Sequence, residues 1–184
     1  APFFVVILSV FLFKEKLTFK KVCALLVAFV GCLFVTGVFG SKERLTPVAI
    51  LFGLLTGFGY ALYTVFGRIL IDKGYNTFTI TFYTFLFSAV FCLPLINVTN
   101  TVSVLLSSDT ALFTLILMAL FNTVIPYIFY TKGLLGVEAS VAPIIATLEP
   151  VVATVTGILI YGEKLTLSGL FGIVLVLGSV LILN

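Results

Sequence analysis

The sequence predicts an all-α membrane protein, a polytopic helical bundle of seven segments, and three observations predict it. The 184-residue chain is 61% hydrophobic and 9% charged, whereas soluble domains are roughly half apolar and about a quarter charged. Its ten basic and seven acidic side chains are too few to cover a soluble surface. Apolar runs of spanning length recur between short polar breaks, and in lipid only helices and closed barrels satisfy the backbone. The runs lack the period-two alternation of barrel strands, which leaves helices.

The first run, 2–13 ("PFFVVILSVFLF"), would reach only about 20 Å as a helix, short of a hydrocarbon core of about 30 Å. Its basic residues follow the run instead of preceding it, the wrong polarity for a secretory signal. It is expected to be the truncated end of a spanning helix. Segments 22–39, 47–71, 76–96, 111–131, 137–161 and 167–184 follow, and the breaks between them hold nearly all the charge. Lysine and arginine favour cytoplasmic loops. Alternate loops place Lys14, Lys16, Lys20, Lys21, Arg68, Lys73 and Lys132 on one side, expected to be cytoplasmic. Lys42, Arg44 and Lys164 fall on the other.

Composition also narrows the chemistry. The net charge of +3 is scattered, so no nucleic-acid partner is expected. Cys23, Cys32 and Cys92 lie inside apolar runs and read as small buried residues, not a disulfide. The chain has no histidine, which excludes histidine-bearing metal sites and Ser–His or Cys–His catalysis within it. No cofactor or metal is expected.

The most informative motif is a duplication. "KEKLT" at 14–18 returns as "GEKLT" at 162–166, and each copy follows a proline-led apolar run from Pro2 or Pro150. Glu15 and Lys16 align with Glu163 and Lys164 without a gap, 148 positions apart. Five expected spans lie between the copies. An odd number places them on opposite membrane faces, the signature of an inverted-topology repeat in secondary transporters. The second unit is expected to begin near Leu45-Thr46-Pro47. Matching units would then place roughly 100 residues before residue 1, giving ten helices in two halves of five.

The stretch "GLLGVEASVAPIIATLEPVVATVTGILIYGEKLTLSGLFGIVLVLGSVLIL" resembles the second repeat of the EamA family, in the drug/metabolite transporter superfamily. The residues that carry the resemblance are Tyr127 and Tyr130, the small residues from Ala139 to Pro143, Pro150, and Gly162-Glu163. The first turn departs from the pattern, with Lys14 where the second has Gly162. The resemblance covers the whole chain: 1–39 look like the last two helices of the first repeat, and 45–184 like the five helices of the second. It implies a ten-helix transporter with both termini cytoplasmic and specifies no substrate.

Among the acidic residues, Glu149 alone sits away from a span end, 12 residues before Tyr161. A mid-span carboxylate costs about 2.5–3.5 kcal/mol to insert, so such groups face a cavity or a partner. Pro150 removes a backbone donor and frees the carbonyl of Ala146. Glu149 shares a helix face with Ala142, Ala146, Ala153 and Thr156, small enough to line a cavity or admit a neighbouring helix. Gly53 and Gly57, with Ala146, Pro150, Ala153 and Gly157, read as helix-packing positions. Tyr60, Tyr63, Asn122, Tyr127 and Tyr130 are cavity candidates: the tyrosines join an aromatic body to a polar tip, and an asparagine in a membrane needs a partner. The turn residues Glu15, Lys16, Glu163 and Lys164 sit where helices end, with no chemistry assigned to them.

The expected function is secondary transport of small organic metabolites, amino acids or drugs by alternating access in the plasma membrane, with proton coupling through Glu149 as a further option. The expected partners are the lipid bilayer, a small-molecule substrate and the missing N-terminal helices of the same protein. Two other classes compete. A non-transporting assembly subunit would leave the repeat unexplained. An intramembrane enzyme would need a second catalytic group at the depth of Glu149.

Overall fold

The computed structural model describes residues 1–38, 46–106 and 109–183, and all regular structure among them is helical. In chain order the helices are α1 (Pro2–Phe13), α2 (Phe19–Val35), α3 (Pro47–Asp72), α4 (Thr77–Cys92), α5 (Val98–Leu106), α6 (Asp109–Met118), α7 (Ile125–Gly133), α8 (Ala142–Ile145), α9 (Glu149–Tyr161) and α10 (Leu167–Leu183). The expected positions Phe39, Lys42, Arg44, Leu45 and Asn184 lie outside the described residues.

Among the described residues, four continuous helical runs are long and apolar enough to cross a membrane: Pro47–Asp72, Thr77–Leu95, Thr110–Gly133 and Ala142–Tyr161. Two of these join shorter helices through altered turns. A π-helical stretch, Ala119–Val124, joins α6 to α7. Pro126 has no N–H to give the carbonyl of Asn122 four residues earlier, and the chain widens there, with the Ile125 N–H reaching back to Leu120 O. A 3-10 turn, Ala146–Leu148, joins α8 to α9 just before Pro150. Outward-facing apolar side chains such as Phe11, Phe91, Leu159 and Leu181 are each more than 70% exposed, at 78%, 75%, 79% and 72%. Apolar surface on this scale is what a bilayer covers, and the protein is an integral, multi-pass, all-α membrane protein.

Three boundaries differ from those the sequence predicts. Helix α2 starts at Phe19 and not at residue 22, because Thr18 Oγ1 accepts the Lys21 N–H at 3.3 Å and caps a turn that includes Lys20 and Lys21. The segment expected from 137 becomes helical only at Ala142. Before it, the N–H groups of Val141 and Ala142 both turn back to the Glu138 carbonyl, and Pro143 opens the helix. The break expected at 97–109 contains α5, which Asn97 caps by accepting the Asn100 N–H at 3.1 Å.

The chain divides into two compact units. One comprises 1–65 and 137–184. At its centre Val6, Ala24, Leu25, Ala28 and Ile144 form an apolar cluster, flanked by Ile182 and Leu183. Helices α2 and α10 run against each other over their length. A Cβ on Gly172 would sit 2.6 Å from the Val35 nitrogen and 2.7 Å from the Gly31 oxygen, so the two backbones meet there. Small residues permit this approach in membrane bundles. Lys21, Ala24, Ala28 and Gly31 are buried on α2, and Gly169, Gly172, Val176 and Ser179 on α10. Each member of the second set lies 148 positions after its counterpart in the first. The two helices therefore present equivalent faces.

The other unit comprises 66–136. Here α4 packs on α7 through an edge-on contact of Phe85 with Tyr127, centroids 5.1 Å apart. At one end Lys132 Nζ lies 4.9 Å above the Phe78 ring. Arg68 donates to Asp72 at 2.9 Å and to the Leu134 carbonyl at 3.0 Å, tying the end of α3 to the chain beyond α7.

Candidate functional site

Glu149 is the first residue of α9, inside the 20-residue run Ala142–Tyr161. Its own N–H takes the Ala146 carbonyl through the 3-10 turn, so the acceptor that Pro150 would strand is satisfied by a tighter bond. The carboxyl group stands at the N-terminal end of α9, where the helix dipole favours negative charge. Glu149, Ala153 and Thr156 are exposed, Ala146 and Pro150 are half-buried, and Ala142 is buried. The acid thus lies on an open strip of small residues.

In the same unit, Tyr60 and Tyr63 stand together on α3, centroids 6.5 Å apart, both half-buried. Thr64 on the adjoining turn is fully buried and donates to the Tyr60 carbonyl at 3.1 Å. Gly57 lies beneath the start of α1: a Cβ there would be 3.1 Å from the Ala1 nitrogen and 3.8 Å from the Phe4 ring. Among the described residues, Gly53 has no neighbouring heavy atom within 4 Å of its would-be Cβ. Gly157 meets the Glu163 carboxylate, with Oε2 2.5 Å from a Cβ placed there. In the other unit, Asn122 is exposed within the π-helical stretch. Tyr127 and Tyr130 are half-buried on α7, Tyr127 against Phe85.

The two copies of the duplicated turn share one backbone design. Lys14 (φ 54) and Gly162 (φ 67) both adopt the left-handed conformation that ends a helix. Beyond them the Glu15 N–H reaches Ser9 O at 3.4 Å, and the Glu163 N–H reaches Gly157 O at 3.3 Å. Thr18 and Thr166 then cap the following helices, accepting from Lys21 N at 3.3 Å and Gly169 N at 3.0 Å. A left-handed stop, a reversal and a threonine start explain why a short polar phrase recurs in so apolar a chain.

The side chains differ. Glu15 accepts from the Ala139 N–H at 3.0 Å, from the Ser140 N–H at 3.2 Å, and from the Ser140 hydroxyl. Lys21 stands 3.7 Å from Glu15 and is ion-paired with Glu138. The Lys21 and Glu15 side chains are 10% and 11% exposed, and that of Glu138 is 55% exposed. From sequence alone Glu15 is a turn residue with no chemistry assigned to it. The available signal was economy: a chain this poor in charge has few acids to spend on ornament. Beside this cluster lies a cavity of about 350 Å³, lined by Thr18, Lys20, Lys21, Glu138, Val141 and Ile145 among others.

Residues 47–184 match the sequence profile of the EamA-like transporter family. The chain belongs to this family. Two Archaeoglobus fulgidus proteins, each named an uncharacterized transporter, are 30% and 28% identical to it, over 99% and 96% of this chain and 63% and 62% of their own lengths. A Clostridium kluyveri protein of the same description is 25% identical over 97% of this chain and 58% of its own. The chain thus spans about three-fifths of the length of these relatives. No solved structure matches it.

Proposed function

We propose that the full-length protein is a secondary transporter of small organic metabolites, amino acids or drugs, working by alternating access in the plasma membrane. The observation that carries this reading is Glu149, an acid inside a membrane-spanning run, at the junction of a 3-10 turn and an α-helix. Broken helices with polar groups at the break are how transporters place a binding site within the bilayer. An ionisable residue at such depth is costly and is retained for a task. Transport, and not covalent catalysis, fits a chain with no histidine to pair with the acid.

The repeat supports the same reading. Residues 1–39 are proposed to close the first unit and 45–184 to form the second, inverted relative to it. The matching caps at Lys14 and Gly162, and the equivalent buried faces of α2 and α10, support that pairing. Tyr60 and Tyr63, in the unit that holds Glu149, and Asn122, Tyr127 and Tyr130, in the other unit, are each proposed as substrate contacts.

Reconstitution tests the proposal. Proteoliposomes carrying the full-length protein are expected to take up at least one member of a radiolabelled panel of amino acids, amines and nucleosides. Glu149→Gln is expected to lower that uptake by about tenfold or more. Uptake no greater than in empty liposomes across the panel would favour an assembly subunit. Undiminished uptake by Glu149→Gln would remove Glu149 from the path. Proton coupling at Glu149 predicts that the variant also loses the pH dependence of uptake.

A further inference from the structure

The cluster around Glu15 is not absorbed by the reading above. It joins two segments more than a hundred residues apart: the turn between α1 and α2, and the non-helical lead into the broken helix that bears Glu149. Ala139 and Ser140 in that lead are buried, as are Ala142, Pro143 and Ile144 in the helix it opens, with Val141 half-buried between them, and the first N–H groups of the lead precede any helical partner. The Glu15 carboxylate supplies their acceptors, and Lys21 balances its charge.

We propose that Glu15, Lys21, Glu138 and Ser140 form a latch that closes the cytoplasmic end of the transport path, and that its release frees the 139–148 segment to move. This inference rests on the alternating-access reading. Three observations support it. The bonds are polar and lie where α2 begins, so water can replace them on opening. The α2–α10 contact beside them is dry, small-residue packing suited to staying put. Lys21 and Glu138 line the 350 Å³ cavity, so the ion pair forms part of its wall.

Thiol labelling tests the latch without a known substrate. The full-length protein is prepared on a cysteine-free background in inside-out membrane vesicles. A single reporter, Ala142→Cys, is exposed to a membrane-impermeant maleimide. Ala142 is 8% exposed and follows the latch directly. Labelling should be slow with Glu15 in place and about tenfold faster with Glu15→Ala. A second reporter, Ser179→Cys, lies in the α2–α10 contact and should stay slow in both. Where Glu15→Ala fails to accumulate, Glu138→Ala replaces it, with an expected rise of about threefold at Ala142→Cys.

An unchanged rate at Ala142→Cys would overturn the latch. So would a parallel rise at both reporters, which would make the cluster a support of the whole fold. Failure of the transport reading looks different: no panel compound enters proteoliposomes, whatever the labelling rates.

Discussion

The turns at 14–18 and 162–166 are nearly the same five residues and the same backbone, yet they do different work. In the first, Glu15 is half-buried and bonded to Ala139 and Ser140. In the second, Glu163 is exposed and lies over Gly157. A repeated sequence reproduces what depends on local geometry, namely the left-handed stop, the reversal and the threonine cap. It does not reproduce what depends on which segment happens to face the turn.

Truncating the two glutamates gives the widest expected separation. Glu15→Ala leaves two buried N–H groups without an acceptor and is expected to cost about 3 kcal/mol. Glu163→Ala removes an exposed side chain and should cost about 0.5 kcal/mol or less. Thermal unfolding of the full-length protein in detergent, followed by far-UV circular dichroism, measures both. Equal losses would mean that the turns are alike in side chain as well as backbone. Next in size is Gly172→Ala in the helix that the second turn launches. Its methyl group would strike the Val35 and Gly31 backbones, and about 2 kcal/mol is expected. The same scan of Gly53→Ala, which meets nothing within 4 Å among the described residues, should show no such loss.

The two caps should behave alike. Thr18→Ala and Thr166→Ala each remove one acceptor from a helix start, with about 1 kcal/mol expected from either. A gap of more than about twofold between them would show that one cap has a further partner. The smallest effect tests the single mismatch in the motif. Lys14 holds φ 54 without being glycine, so Lys14→Gly should stabilise by about 0.5–1 kcal/mol, and Gly162→Ala should lose a similar amount.

Much of the fold was legible because hydropathy and length determine what can cross a bilayer. The four long runs lie close to where apolar composition puts them. What escaped was set by hydrogen bonds and not by hydropathy. Helix α5 carries no charge to flag it and is held at its start by Asn97. Residues 137–141 are apolar enough to read as helix, but they turn back on Glu138. For the site, Glu149 could be singled out because an acid in an apolar run is conspicuous. The bridge from Glu15 to Ser140 could not, because its partners are distant in sequence and its three donors are two backbone N–H groups and a hydroxyl that no composition reveals. The widening at Asn122 was foreshadowed by Pro126, whose missing N–H concerns the carbonyl four residues before it.

The pairing of α2 with α10 has a consequence for how this chain tolerates change. An interface in which one patch meets its own equivalent is the arrangement of a symmetric homodimer, here written into a single polypeptide. In a true homodimer every substitution strikes twice, once from each side. Here the copies have separate codons, so Ala24 can remain alanine while its counterpart has become Gly172, and Gly31 can face a surface whose own version of it is Ser179. Each side is free to shrink where the other grows, and a clash that would doom a dimer can be relieved by one compensating change across the seam.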